Sequence, residues 1–145
     1  MRRFLLVALT VGIALPIIGC SSKKQVTTSS KPVIETLVSA TESWNGDSYS
    51  YPEGQAKMTL LRITAPVGFR TPVHTHPQPG VAYVVEGKLD CVVTATNTKV
   101  FSAGDSFATT SGDTPHYCES IGSEPAVVFV AYAGVEGQQV TVPIK

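Results

Sequence analysis

The chain has 145 residues, enough for one domain, with 43% hydrophobic and 8% aromatic residues and a formal net charge of zero. Five of the eleven basic residues lie in the first 31 positions, so the rest of the chain carries six basic and eleven acidic groups, a net charge of −5. A mildly acidic body without a Lys/Arg cluster excludes a nucleic-acid binder, and three cysteines are too few for a disulfide-framework mini-protein.

The chain opens on Met1-Arg2-Arg3, followed by a run from Phe4 to Gly19 that only Thr10 and Pro16 interrupt. Charge followed by a short apolar run is the layout of a secretory signal. At 16 residues with a proline inside, the run falls short of the ~20 that span a bilayer. It ends at Ile17-Ile18-Gly19-Cys20-Ser21. This resembles the lipobox of bacterial lipoproteins, which implies a signal peptide over residues 1–19 and lipidation of the Cys20 thiol. Two or more acyl chains then anchor the protein to the cell-envelope membrane. Ser21 implies the outer membrane, facing the periplasm, if the source is Gram-negative. Residues 20–31 are polar, small and unpatterned, which predicts a flexible tether. Residues 32–145 are the expected folded domain.

Beyond Pro32 the pattern is short alternation between turn signals, with no apolar spacing of helical period. Val33-Ile34 with Leu37-Val38 predicts a first strand. Trp44 to Tyr51 reads as a loop or short edge strand, and Tyr51 as a candidate pocket residue. Ala56 to Thr64 alternates and is rich in β-formers. Val81 to Val85 leads into a tight Glu86-Gly87 turn, and Leu89 to Ala95 follows. Lys99 to Phe101 and Phe107 to Thr109 flank a turn at Ala103-Gly104-Asp105. Ala126 to Ala133 predicts a buried strand, and Val140 to Val142 a last edge strand. Many short strands at regular spacing predict an all-β sandwich or closed barrel.

The chain has three histidines, His74, His76 and His116. On a strand, positions i and i+2 share a face, so His74 and His76 can address one metal. His116 follows Pro115 at the start of another predicted strand, which barrel closure would bring opposite. On spacing alone, a metal site and structural histidines stand level. Arg62 and Arg70 are candidate anion anchors, with surface solvation the simpler role for each.

Gly68 through His76 resembles the opening of the first motif of the cupin superfamily: a glycine, five residues, then His-x-His, closed by Gly87. Gly104-Asp105-Ser106-Phe107, Gly112 and Pro115-His116 resemble the second motif. The resemblance covers roughly Tyr51 to Ala133. It implies a single double-stranded β-helix of the jelly-roll type holding one divalent metal (Fe, Mn, Ni, Cu or Zn). A homodimer formed through barrel edges is a candidate assembly. The implied ligands are His74, His76 and His116. The family's glutamate ligand is replaced by Gly80, and a glutamate reintroduced there is expected to strengthen Mn(II) or Fe(II) binding, provided the barrel accepts the larger side chain. Gln78 shares strand parity with His76 and is a candidate fourth ligand. Its flanking prolines, Pro77 and Pro79, favour a turn instead. With ordinary imidazoles, metal occupancy is expected to fall between about pH 7 and 5.

Cys91 and Cys118 are the thiols left after Cys20 is lipidated, in an oxidising compartment. Three readings stand open for them: buried inert thiols, a disulfide across the barrel, or Cys118 bordering or ligating the metal. Two functional classes also remain. One is a metal-dependent dioxygenase or isomerase acting on a small molecule. The other is a non-catalytic metal- or small-molecule-binding module at the envelope. The barrel hosts many chemistries and does not choose between them.

Overall fold

The computed structural model describes residues 31–145. The signal segment, Cys20 and the tether as far as residue 30 lie outside the described residues. Residues Glu35–Lys145 form one compact unit.

Among the described residues there are nine strands and no helix. In chain order they are β1 (Ala56–Ala65), β2 (His74–His76), β3 (Gly80–Glu86), β4 (Lys88–Thr94), β5 (Asn97–Ser102), β6 (Ser106–Ala108), β7 (Gly112–Ile121), β8 (Ala126–Val135) and β9 (Val142–Pro143). They make two antiparallel sheets, ordered β1-β8-β3-β6 and β5-β4-β7-β2-β9. The fold is the all-β jelly roll expected from the alternation.

Each sheet turns one face inward, and the period-2 pattern decides which residues lie there. Ala82 and Val84 on β3, Leu89 and Cys91 on β4, and Val128 and Val130 on β8 are buried in the core. Phe101 of β5 stacks on Phe107 of β6, with centroids 3.7 Å apart. Trp44 meets Phe101 edge-on at 5.9 Å. Burying an aliphatic or aromatic side chain of this size stabilises the fold by about 1.5–3 kcal/mol. The core therefore holds the barrel without help from the histidines.

The turn between β3 and β4 needs its glycine. Gly87 has φ 70°, and a Cβ there would stand 2.5 Å from the Pro125 carbonyl oxygen. The tight Glu86-Gly87 turn read from the sequence is thus required by close backbone approach as well as by φ.

Two expectations need adjusting, and one open alternative is decided. Val33-Ile34 and Leu37-Val38 form no strand, and Val33 and Ile34 are exposed. The pairs are too short to alternate, and Ser106 Oγ donates to the Leu37 carbonyl where a ladder bond would otherwise form. The last strand is shorter than expected and begins at Val142, because the Val140 carbonyl is bonded to His76 Nδ1. Trp44 to Tyr51 is a loop, crossed by one bridge between Glu42 and Ser48 and fastened to β6 by Trp44 N–H donating to the Ala108 carbonyl.

Candidate metal centre

β2 has only three residues, and it carries two of the three histidines. It lies between β7 and β9. His74 is in register with His116 of β7, while His76 is in register with Gly112. Four residues of β7 therefore run past two of β2, an irregularity of the bulge type. His116 stays opposite His74 across this irregularity.

All three imidazoles are buried, and their candidate ligand atoms lie within 4.8 Å of one another. Each Nδ1 faces a backbone carbonyl: His74 to Pro72 at 2.7 Å, His76 to Val140 at 2.6 Å and His116 to Thr114 at 3.2 Å. A carbonyl only accepts, so each Nδ1 carries the hydrogen and donates it. That fixes the tautomer and leaves every Nε2 with a bare lone pair. His74 Nε2 and His76 Nε2 are 3.2 Å apart. Two lone pairs at that distance repel unless a cation lies between them. Ligand atoms bound to one ion at ~2.0–2.1 Å and about 100° apart stand ~3.2 Å from each other. The donor set therefore fits a metal ion.

Burial lowers the pKa of both His76 and His116 to about 4, against the opposing effect of their carbonyl hydrogen bonds. Both are neutral at pH 7, the form a metal requires.

Above the histidines lies a cavity of about 270 Å³. Leu61, Ile63, Phe69, Val128 and Val130 give it apolar walls, and among the described residues no charged side chain lines it. Thr109 and Thr110 also line it, and their buried hydroxyl oxygens have no hydrogen-bond partner. They are the polar groups within the wall that a bound molecule can satisfy.

Of the other candidates, Cys118 reaches the cavity and Cys91 is fully buried behind it. The two are in register on β7 and β4 and form a disulfide with Cα atoms 4.0 Å apart. Of the three readings the structure selects a disulfide, joining neighbouring strands of one sheet and not spanning the barrel, so neither is a free thiol ligand. Gln78 lies past the end of β2, buried against Gly134 and outside the cavity lining. Its flanking prolines end the strand parity at His76. Tyr51 is 76% exposed and does not line the cavity. Arg70 pairs with Glu119 at 2.6 Å and lies over the Tyr117 ring. Arg62 is exposed.

Sequence reading missed Tyr132. It sits on β8 on the same face as Val128 and Val130, and its phenol oxygen is 3.1 Å from His76 Nε2. Its partner in the ladder is Gly80. A Cβ on Gly80 would stand 2.7 Å from Tyr132 Cδ1 and 2.9 Å from the Ala131 carbonyl oxygen. The space for a glutamate at position 80 is thus taken by the tyrosine ring and by backbone. The condition set for a glutamate there, that the barrel accept the larger side chain, is therefore not met without a shift of Tyr132 and the backbone. The signal in the sequence was the missing side chain at Gly80, which had to be filled from a neighbouring strand.

Residues 61–132 match the family model of the cupin domain. These residues form a cupin domain. The match begins on β1, ends at Tyr132 on β8 and includes all three histidines. Among solved structures, a cupin 2 domain-containing protein from Halorhodospira halophila aligns at TM-score 0.50 and 14% identity, over 61% of this chain and 58% of that one. A cupin-like protein from Thermotoga maritima aligns at TM-score 0.49 and 15% identity, over 60% and 64%. An oxalate oxidase aligns at TM-score 0.49 and 21% identity, over 60% and 46%. The chain spans less than half the length of the two oxalate oxidase chains it matches, 42% and 46%. No curated protein sequence matches the chain.

Proposed function

We propose that the protein is an envelope-anchored cupin lipoprotein that holds one divalent transition metal on His74, His76 and His116 and presents it to a small molecule in the cavity. The carrying observation is the set of three inward Nε2 lone pairs beside an apolar cavity, each fixed by a backbone carbonyl on the far side of its ring. Bound there, the ion supplies Lewis acidity and open coordination positions. The three histidines orient it, and the apolar walls exclude water and hold the hydrocarbon part of the guest. Thr109 and Thr110 offer hydrogen bonds to a polar group on the guest.

The lack of a charged side chain in the lining favours a guest with one polar head and an apolar body. A compact dianion, whose second charge would be left unpaired, is disfavoured. Among reactions, a dioxygenase or isomerase acting at the metal fits this arrangement. A binding module that uses the same site without turnover is the second reading. It is favoured by the absence of a carboxylate in the lining that could serve as general base.

Anchoring rests on the lipobox-like Ile18-Gly19-Cys20 after a short apolar run. Elemental analysis of the purified protein tests the central reading, with close to one transition ion per chain expected at neutral pH. Protein that takes up no divalent transition ion overturns it. Oxygen-uptake screening of the loaded protein with small amphiphilic molecules then separates dioxygenase from binding module. Cys20→Ser is expected to move the chain from the detergent to the aqueous phase. Equal partitioning of the two forms removes the anchor.

A further inference from the structure

Tyr132 is 4% exposed, at the inner face of β8, with its ring 4.9 Å from that of His76. The hydrogen bond between them has a fixed direction. His76 Nδ1 donates to the Val140 carbonyl, so Nε2 accepts and the phenol O–H donates to it. That is the same lone pair a metal needs. Once an ion takes it, the phenol loses its acceptor, and a buried hydroxyl left unpaired is unfavourable. The phenol oxygen stands 3.1 Å from Nε2, and the two nitrogens of His74 and His76 stand 3.2 Å from each other. The oxygen is thus spaced from its neighbour as the histidine donors are spaced from one another.

A further observation says that this placement is built. Gly80, opposite Tyr132 in the ladder, has no side chain, and any Cβ there would collide with the Tyr132 ring. The glycine leaves the gap that the ring fills.

We propose that Tyr132 is a fourth protein donor to the three-histidine site, admitted by the gap at Gly80. The proposal rests on the metal reading above. As the oxygen–metal bond forms, the O–H bond breaks and its proton passes to solvent. No electron changes hands. The site then carries one negative charge on the protein side, supplied from β8. This favours divalent ions that accept phenolate oxygen beside imidazole nitrogen, such as Cu(II).

The test uses the full chain, purified in detergent and titrated with Cu(II) alone. The wild type is expected to bind one ion and develop a phenolate-to-copper charge-transfer absorption in the visible. Resonance Raman spectra excited in that band should show tyrosinate ring modes that shift when the protein is grown on ring-deuterated tyrosine. Tyr132→Phe should keep its β-type circular dichroism and still bind copper. It should lose the band, with affinity lower by at least about tenfold. Copper bound by the wild type without tyrosinate modes overturns the proposal whatever the affinity of the variant, and leaves the three-histidine site standing. A band that survives in Tyr132→Phe overturns it as well. A wild type that binds no copper and no other divalent transition ion overturns the metal reading itself, and this proposal with it.

Discussion

The cavity has two walls, and they differ in how their side chains are held. On the β2–β7 wall, polar groups are fixed one by one. His74 and His116 each donate to the carbonyl two residues before them, and His76 to Val140 from the segment ahead of β9. On the β3–β8 wall, Ala82, Val128 and Val130 carry no polar groups to aim and are placed by register and burial alone. The first wall is irregular where its histidines sit, with a bulge between His74 and His76 and a three-residue β2. The second is regular where it lines the cavity, β3 pairing with β8 without a shift from Gly80 to Val84 and β8 pairing with all ten residues of β1. Directional bonds allow a site on irregular backbone, because each ring is held by its own tether. Apolar side chains lack such tethers and need a regular sheet to present them. Tyr132 crosses this division as a polar group on the regular wall, aimed by the absence of a side chain at Gly80.

The comparison predicts that the two walls respond differently to change. The largest effect is expected from His74→Ala or His116→Ala. Either should lower metal affinity by more than the roughly 10–100-fold lost when a residue that only orients a ligand is removed. Circular dichroism should stay β-type, because the apolar core remains. Undiminished metal in the double variant would show that the first wall does not bind it.

Acid comes next. His76 and His116 titrate near 4 in the folded protein against 6.5 for the free side chain. As pH falls below about 6.5 the unfolded chain takes up protons first, so metal-free stability declines. The loss levels off near pH 4, after up to about 3 kcal/mol per imidazole. Urea midpoints measured from pH 7 to 4 check this, and a flat profile contradicts it. For these two ligands, protons compete with the metal near pH 4 and not between 7 and 5, the window ordinary imidazoles would give. Metal titrations at pH 5 distinguish the two windows.

The disulfide ties the first wall to its neighbour β4, closing a loop with a sequence separation of 27. On the chain-entropy account such a loop stabilises by about 3–4 kcal/mol. Cys91→Ala/Cys118→Ala should therefore lower the unfolding free energy by that amount, measured in urea, while metal affinity changes much less than in the histidine variants. The smallest effect is expected on the second wall. Val130→Ala deletes two buried methyl groups beside existing free space and should cost about 1–2 kcal/mol. Metal stoichiometry should stay at the wild-type value. A loss of metal in Val130→Ala would mean that the apolar wall also positions the ligands.

Much of this architecture was legible along the chain. The alternation in 56–64, the apolar run in 126–133, the turns at Gly87 and Gly104, and the HxH pair are local features, set by the geometry and burial of a strand and by the backbone freedom of glycine. They determined an all-β domain and the identity of its three buried histidines. The spacing of the two motifs carried the resemblance to cupins. Which atoms meet depends on register between neighbouring strands far apart in sequence, and local pattern does not encode register. Val140 holding His76, Tyr132 filling the gap at Gly80, and Cys91 facing Cys118 span 64, 52 and 27 positions. The lowered pKa values arise the same way, because desolvation comes from walls contributed by other strands. The sequence alone determined the strands, the turns and the three imidazoles. Barrel closure decided their tautomers, their charge and their fourth neighbour, because those follow from contacts that exist only once distant strands lie side by side.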